Sequence, residues 1–236
     1  MTIKSIIASP FRKADKINRE VMMGYLREYN GKCLEVGPGG APLIEQLTHI
    51  GNSQKYALEL PELIDYCRKQ GFNCISQDAG TERWNLEDDS MDLVVSNQCL
   101  EHIPNTDHFI SEAHRVLKDG GVLLLSVPNQ GALAFIIMML MTLNPPMNYV
   151  SDKFYGLGNP LSSIRWQKRV VPGHNHLRLF TQRAMNDLLK INGFEIIKNH
   201  GGSWGVPILG RTLAGIFPCY GLYTTVLSKK VPVPSV

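Results

Sequence analysis

Two periodicities of apolar residues alternate along this chain. Ile17, Val21, Tyr25 and Leu26 recur at helical spacing inside a charged stretch, which predicts an amphipathic helix over residues 12–29, packed across the edge of the fold that follows. Short apolar runs then alternate with helical patterns. They predict strands over 32–36, 56–60, 74–76, 91–96 and 122–127, with helices over 43–48, 62–70 and 107–117. A helix over 182–191 and strands over 194–198 and 222–227 are expected further on. Strands that alternate with helices in this way build a doubly wound α/β domain on a mostly parallel sheet.

The rhythm breaks between Pro128 and His174, an insertion of about forty residues where ordinary connections run to about six. A break of that size marks a lid or a binding element, here residues 130–175. Within it residues 131–143, GALAFIIMMLMTL, are apolar on all sides but too short to span a bilayer. They are expected as core, a dimer face or the wall of an apolar pocket, with the first two favoured. The last residues, KKVPVPSV, have the composition of a frayed tail.

Composition narrows the partners. Hydrophobic residues make up 44% and charged residues 19% of 236, an ordinary globular balance with no low-complexity linker, so the whole chain is expected to fold as a single domain. The formal charge of +3 is spread along the chain, which argues against a nucleic-acid partner. Five cysteines with no CxxC pair indicate neither a disulfide framework nor a zinc knuckle, and a reducing cytoplasm suits them. The apolar run at the N-terminus is too short for a signal peptide, so membrane contact is expected to be peripheral at most.

The chemistry starts at the first strand. Cys33-Leu34-Glu35-Val36-Gly37-Pro38-Gly39-Gly40 leads out of the sheet through a glycine-rich turn, where positive φ and close approach of a ligand are allowed. A dinucleotide-binding turn would carry glycine where this chain has Pro42, and Glu35 would repel a pyrophosphate. A carboxylate there favours an ammonium or sulfonium instead. Glu59 closes the second strand, 22 residues after Gly37, at the spacing of an acid that accepts hydrogen bonds from ribose hydroxyls; an exposed strand-end acid is the alternative. Asp78, before Ala79 at the end of the third strand, is placed either to accept from an adenine amine or to cap the following turn.

The run from Cys33 to Asn129 resembles the core of class I S-adenosylmethionine-dependent methyltransferases of the small-molecule, type 11-like kind. LEVGPGG resembles their first motif, LEL with Glu59 the second, and QDA with Asp78 the third. MDLVVSNQCLEHIPN and HRVLKDGGVLLLSVPN resemble the fourth and fifth. A later stretch, HNHLRLFTQRAMNDLLKINGFEI, resembles the C-terminal part of methyltransferases of saccharide or lipid-linked pathways. Pro38 and Gly40-Ala41-Pro42 depart from the family pattern and put the loop contacts in doubt. The resemblance implies a Rossmann-like sheet of seven strands with the last antiparallel and an insertion after the fifth. It also implies S-adenosyl-L-methionine as cofactor, S-adenosyl-L-homocysteine as product, and Glu35, Gly37, Gly39, Glu59, Leu60, Asp78, Ala79, Asn97 and Gln98 as the donor-binding set.

Methyl transfer is an in-line displacement at a carbon already activated by a sulfonium, so alignment dominates and few catalytic groups are needed. A hydroxyl acceptor needs a base. His102 and His176 are the candidates, with His174 beside them, since imidazole titrates near neutrality; the Glu101-His102 pair is alternatively a brace for the turn into Ile103-Pro104. Two histidines at spacing two suit a metal, but no third ligand is evident and none is expected. Asn144-Pro145-Pro146-Met147 lies far from the end of the fourth strand and is read as a proline turn. Tyr149, Phe154 and the basic, aromatic run 162–169 suit an acceptor with an apolar part and an anionic head. A small-molecule acceptor is expected, and a homodimer is left open. A nicotinamide-dependent reductase is disfavoured by Glu35 and Pro42, and an aminopropyltransferase by the lack of further acids near the fourth strand. A non-catalytic binding module is disfavoured by the intact donor set.

Overall fold

All four residues of β1 (Cys33–Val36) are buried, the mark of a strand covered on both faces, and the sheet around it takes its order from that strand. The computed structural model describes residues 3–151, 153–160, 175–204 and 210–233. A helix, α1 (Ile3–Leu26), precedes β1; then follow β2 (Lys55–Glu59), α2 (Asp65–Lys69), β3 (Asn73–Ser76), β4 (Met91–Asn97), α3 (Thr106–Val116) and β5 (Leu117–Pro128). After α4 (Leu133–Leu140) come α5 (Gln182–Ile191), β6 (Phe194–His200), α6 (Gly210–Ile216) and β7 (Tyr223–Lys230). The seven strands lie in the order β3-β2-β1-β4-β5-β7-β6, and β7 runs antiparallel to both neighbours. This is the sheet the family resemblance implied.

Alternation along the strands sorts the core into two layers. Leu34, Val36, Val94, Leu123 and Leu125 face Phe109, Ile110 and Ala113 of α3 and Met185 and Leu189 of α5. Cys33, Leu93, Val95, Val122 and Leu124 face Met22, Met23 and Leu26 of α1. α1 therefore covers one face of the central strands, not the sheet edge that was expected. The physical reason is Asn18. It is fully buried, and its side chain donates to Ser126 Oγ of β5 at 2.8 Å and accepts from Thr225 Oγ1 of β7 at 2.6 Å, pinning the helix over the middle of the sheet.

Other boundaries differ for local reasons. The helix expected over 43–48 is a single 3₁₀ turn, Ile44–Gln46, whose first amides, of Leu43 and Ile44, bond to the Glu35 carboxylate. The helix expected over 62–70 shortens to Asp65–Lys69. α6 was not foreseen, since two glycines in Gly210–Ile216 hide its period. The helix expected over 182–191 is α5, with Thr181 Oγ1 capping the Ala184 amide. Asn105 caps α3 in the same way through the His108 amide.

The apolar segment 131–143 is core only in part, which corrects the expectation of core packing and does not bear on a dimer face. Phe135 is buried against Ala14, Leu222 and Tyr223, but Ile137, Leu140 and Met141 are 49%, 80% and 60% exposed. A helix apolar on every side carries no stripe to say which face turns inward. Among the described residues, no helix is long and apolar enough to cross a membrane.

Candidate active site

The direction of chain progression reverses between β1 and β4. From β1 the chain steps outward to β2 and β3; from β4 it steps the other way to β5. Ligands of open α/β sheets bind beyond the carboxyl ends of the strands at such a reversal. Gly37–Gly40 follow β1 there, and Gln98–His102 follow β4.

Close contacts knit these strand ends together. Gly37 has φ +70 and lies so near Cys99 that a Cβ would collide with its Sγ, so the β1 and β4 loops touch. Its amide donates to the Leu58 carbonyl at 2.9 Å, tying in β2. Gly39, φ +57, donates its amide to Glu59 Oε2 at 2.9 Å, and the Leu60 amide donates to Glu59 Oε1 at 2.9 Å. A Cβ on Gly80 would meet Ile103 Cγ2 at 2.9 Å, which brings the loop after β3 against the loop after β4.

Glu35 does something other than face a ligand. It is buried, and its two oxygens accept the Leu43 and Ile44 amides, each at 3.0 Å. The carboxylate braces the turn, and what it offers a bound cation is its field. Burial pushes its pKa up to about 7 against the pull of those two hydrogen bonds. Asp78 accepts the Gly80 amide at 2.7 Å through Oδ1, so it caps its turn. Ala79 is buried, and its carbonyl accepts the Trp84 indole N–H at 3.1 Å.

At the end of β4, Asn97 Oδ1 accepts from Asn18 at 3.3 Å. Gln98 has φ +56, strained for a residue with a side chain, and its buried Nε2 has no hydrogen-bond partner among the described residues. Strain and an unsatisfied donor coincide at one residue of the ligand edge. A Cβ on Gly39 would meet nothing within 4 Å, so the turn opens onto free space. An open turn, an acid at the ribose position and an unsatisfied amide fit a nucleoside-bearing sulfonium donor.

His102 and His176 come together although 74 residues separate them: their ring centroids are 5.0 Å apart. The main chain makes this possible, since Leu177 and Arg178 donate their amides to the Glu101 carbonyl at 2.8 and 3.1 Å. His102 Nδ1 bonds the Asn175 carbonyl at 3.0 Å. Tyr149 from the insertion packs on His176 at 4.8 Å, with Tyr155 behind it at 5.2 Å. Sequence reasoning missed the weight of Glu101, which is 1% exposed, finds no hydrogen-bond partner outside its own residue among the described residues, and has its pKa pushed up to about 8 by burial. Glu101, His102 and His176 offer three ligand atoms within 4.8 Å of one another. This grouping differs from the pair at spacing two, His174 and His176: it takes His102 and its neighbour Glu101 with His176. Asn144-Pro145-Pro146-Met147 is a turn, closed by the Asn148 amide on the Pro145 carbonyl at 3.0 Å. His174 and residues 162–169 lie outside the described residues.

Comparison with known proteins agrees with this geometry. A ubiquinone biosynthesis O-methyltransferase of Xanthomonas oryzae pv. oryzae is 29% identical over 138 residues, 56% of this chain and 57% of that protein. The chain thus matches little more than half the length of that relative. A probable S-adenosylmethionine-dependent methyltransferase of Mycolicibacterium smegmatis is 49% identical over 111 residues, 47% of this chain and 31% of that one. The crystal structure of an S-adenosylmethionine-dependent methyltransferase from Thermotoga maritima superposes with TM-score 0.55 at 16% identity, covering 97% of both chains, which shows the shared fold. A methyltransferase-domain family model matches residues 11–199, and the chain belongs to the S-adenosylmethionine-dependent methyltransferases.

Proposed function

We propose that this protein transfers the methyl group of S-adenosylmethionine to a hydroxyl oxygen of a small molecule, a saccharide or lipid-linked intermediate. The observation that carries the reading is the His102–His176 pair beside the strained end of β4. The donor, when bound, supplies a methyl carbon activated by its sulfonium. Gly37, Gly39, Glu59, Leu60, Asp78, Ala79, Asn97 and Gln98 form the set that would hold it. Holding the reactants in line is worth roughly 7–11 kcal/mol of barrier. What the chain must add is a destination for the hydroxyl proton.

Neutral imidazole has one N–H and one lone pair. His102 Nδ1 faces a carbonyl, which only accepts, so Nδ1 carries the hydrogen and Nε2 presents the lone pair. His102 Nε2 is the base atom, and His176 with Tyr149 walls the acceptor side. The O-methyltransferase relatives support oxygen as the methylated atom. The insertion supplies Tyr149 and Tyr155 to that wall, which supports its reading as an acceptor-binding element.

The test is formation of S-adenosylhomocysteine from tritiated-methyl donor against panels of phenolic, prenylated-phenol and saccharide acceptors, with amines in parallel. Acceptor-dependent product carrying an O-methyl group, reduced at least about a hundredfold in His102→Ala, supports the reading. Turnover with amines alone, or donor binding with no turnover on any panel, overturns it.

A further inference from the structure

The carboxylate of Glu101 is the one group at this site whose condition the proton-transfer reading leaves unexplained. It is 1% exposed, and among the described residues neither oxygen has a hydrogen-bond partner outside Glu101 itself. Burying a carboxyl group without partners costs several kcal/mol, so its retention calls for a counterpart. Its Oε1 lies 4.0 Å from His102 Nε2, too far for a hydrogen bond. His176 completes a set of three ligand atoms within 4.8 Å of one another.

We propose that Glu101, His102 and His176 bind a divalent transition-metal ion of the zinc class. Two histidines and one glutamate are the ligand set of catalytic zinc sites, which leave a fourth position open. Zinc bonds of about 2.0–2.2 Å put neighbouring tetrahedral ligands about 3.4 Å apart, so the cluster closes on an ion by side-chain movements of about 0.5–1 Å. The second shell is already present. The Asn175 carbonyl takes the hydrogen of His102 Nδ1 and leaves Nε2 as the ligand atom, the outer-sphere arrangement that orients metal-bound histidines. The amides of Leu177 and Arg178 hold the segment of His176 to the Glu101 backbone, so all three ligands ride on one braced unit.

This deepens the hydroxyl-acceptor reading and rests on it for its use, though not for its test. With the ion bound, His102 Nε2 is a ligand and no longer serves as the base: an acceptor oxygen in the open position gives its proton up to solvent because the ion stabilises the oxyanion. The ion is not consumed, and no redox step is involved.

The test is metal binding by the full chain without acceptor. Protein stripped with a chelator is titrated with Co²⁺ and Zn²⁺, reading the visible cobalt bands and the bound metal by mass spectrometry. One equivalent per chain is expected, weakened at least about tenfold in both Glu101→Gln and His176→Ala and unchanged in His49→Ala, an exposed histidine outside the cluster. Circular dichroism checks that the variants fold, and His102→Ala replaces any that does not. Absence of a stoichiometric ion, or equal binding in wild type and cluster variants, overturns the proposal. Titration of the same samples with S-adenosylmethionine reads the donor site separately, so failure of the ion site is distinguishable from failure of the methyl-transfer reading.

Discussion

Glu59 accepts the Gly39 amide at 2.9 Å, joining the end of β2 to the turn after β1 across 20 residues of chain. The same carboxylate accepts from the Leu60 amide, so it shapes the turn after β1, and in the proposed function it belongs to the donor-binding set. Glu59→Ala removes both acceptors. The expected result is loss of measurable S-adenosylmethionine and S-adenosylhomocysteine binding by calorimetry, with a stability loss of about 1–3 kcal/mol from the orphaned amides. Retained donor affinity in a folded Glu59→Ala protein would remove Glu59 from the donor site.

Gly37→Ala tests the contact between the β1 and β4 loops. An alanine at φ +70 is strained by about 1–3 kcal/mol, and its Cβ would press into Cys99. Cys99→Gly removes both the sulfur and the Cβ that an alanine at 37 would meet, without touching φ at that position. The double variant is therefore expected to recover part of the donor affinity lost in Gly37→Ala. No recovery would mean that the backbone conformation alone matters there.

Asn18 carries a different kind of prediction, because it is a buried amide on the helix that covers the sheet. Its side chain reaches Asn97, Ser126 and Thr225 on three strands. Asn18→Ala leaves Ser126 and Thr225 short of partners and is expected to lower stability by about 2–4 kcal/mol in urea unfolding. It also releases Asn97, so donor affinity should fall as well. A variant as stable as wild type would show that α1 is held by Met22, Met23 and Leu26 alone.

How far the sequence reveals this molecule depends on the range of the interaction. The sheet was legible because Leu34, Val94 and Leu123 repeat a local pattern of buried strands, and α5 because Thr181 caps an amphipathic period. The donor turn was legible as residues but not as roles: nothing in LEVGPGG shows that Glu35 spends both oxygens on Leu43 and Ile44. The path of α1 was not legible, since Asn18 looks like one polar residue in a mixed helix until Ser126 and Thr225 are seen beside it. The Glu101, His102 and His176 cluster depends on two chain segments 74 residues apart, a contact no spacing rule reaches.

Acid stability depends on buried groups that act in opposite directions, His200 on one side and the carboxyls of Glu35 and Glu101 on the other. His200, on β6, is held neutral by burial and by the charges of Arg211 and Lys198, which together lower its pKa to about 4, while its Nδ1 accepts the Gly202 amide at 2.9 Å. Between pH 6.5 and 4 the unfolded chain binds a proton at this histidine that the folded chain refuses, so acidification through that window costs stability. Glu35 behaves oppositely. Folded, it holds its proton up to about pH 7, whereas unfolded it releases it near 4.5, so acidification from 7 to 4.5 adds stability. In wild type the His200 slope offsets only part of the gain from the carboxyls, because Glu101, raised to about 8, acts in the same direction as Glu35. His200→Asn keeps an acceptor for the Gly202 amide but cannot titrate, and its unfolding free energy is expected to rise relative to wild type as pH falls from 7 to 5. Glu35→Gln should do the reverse, falling relative to wild type over the same interval. Urea unfolding at pH 7, 6 and 5 measures both differences, and profiles parallel to wild type would show that neither group changes its proton affinity on folding.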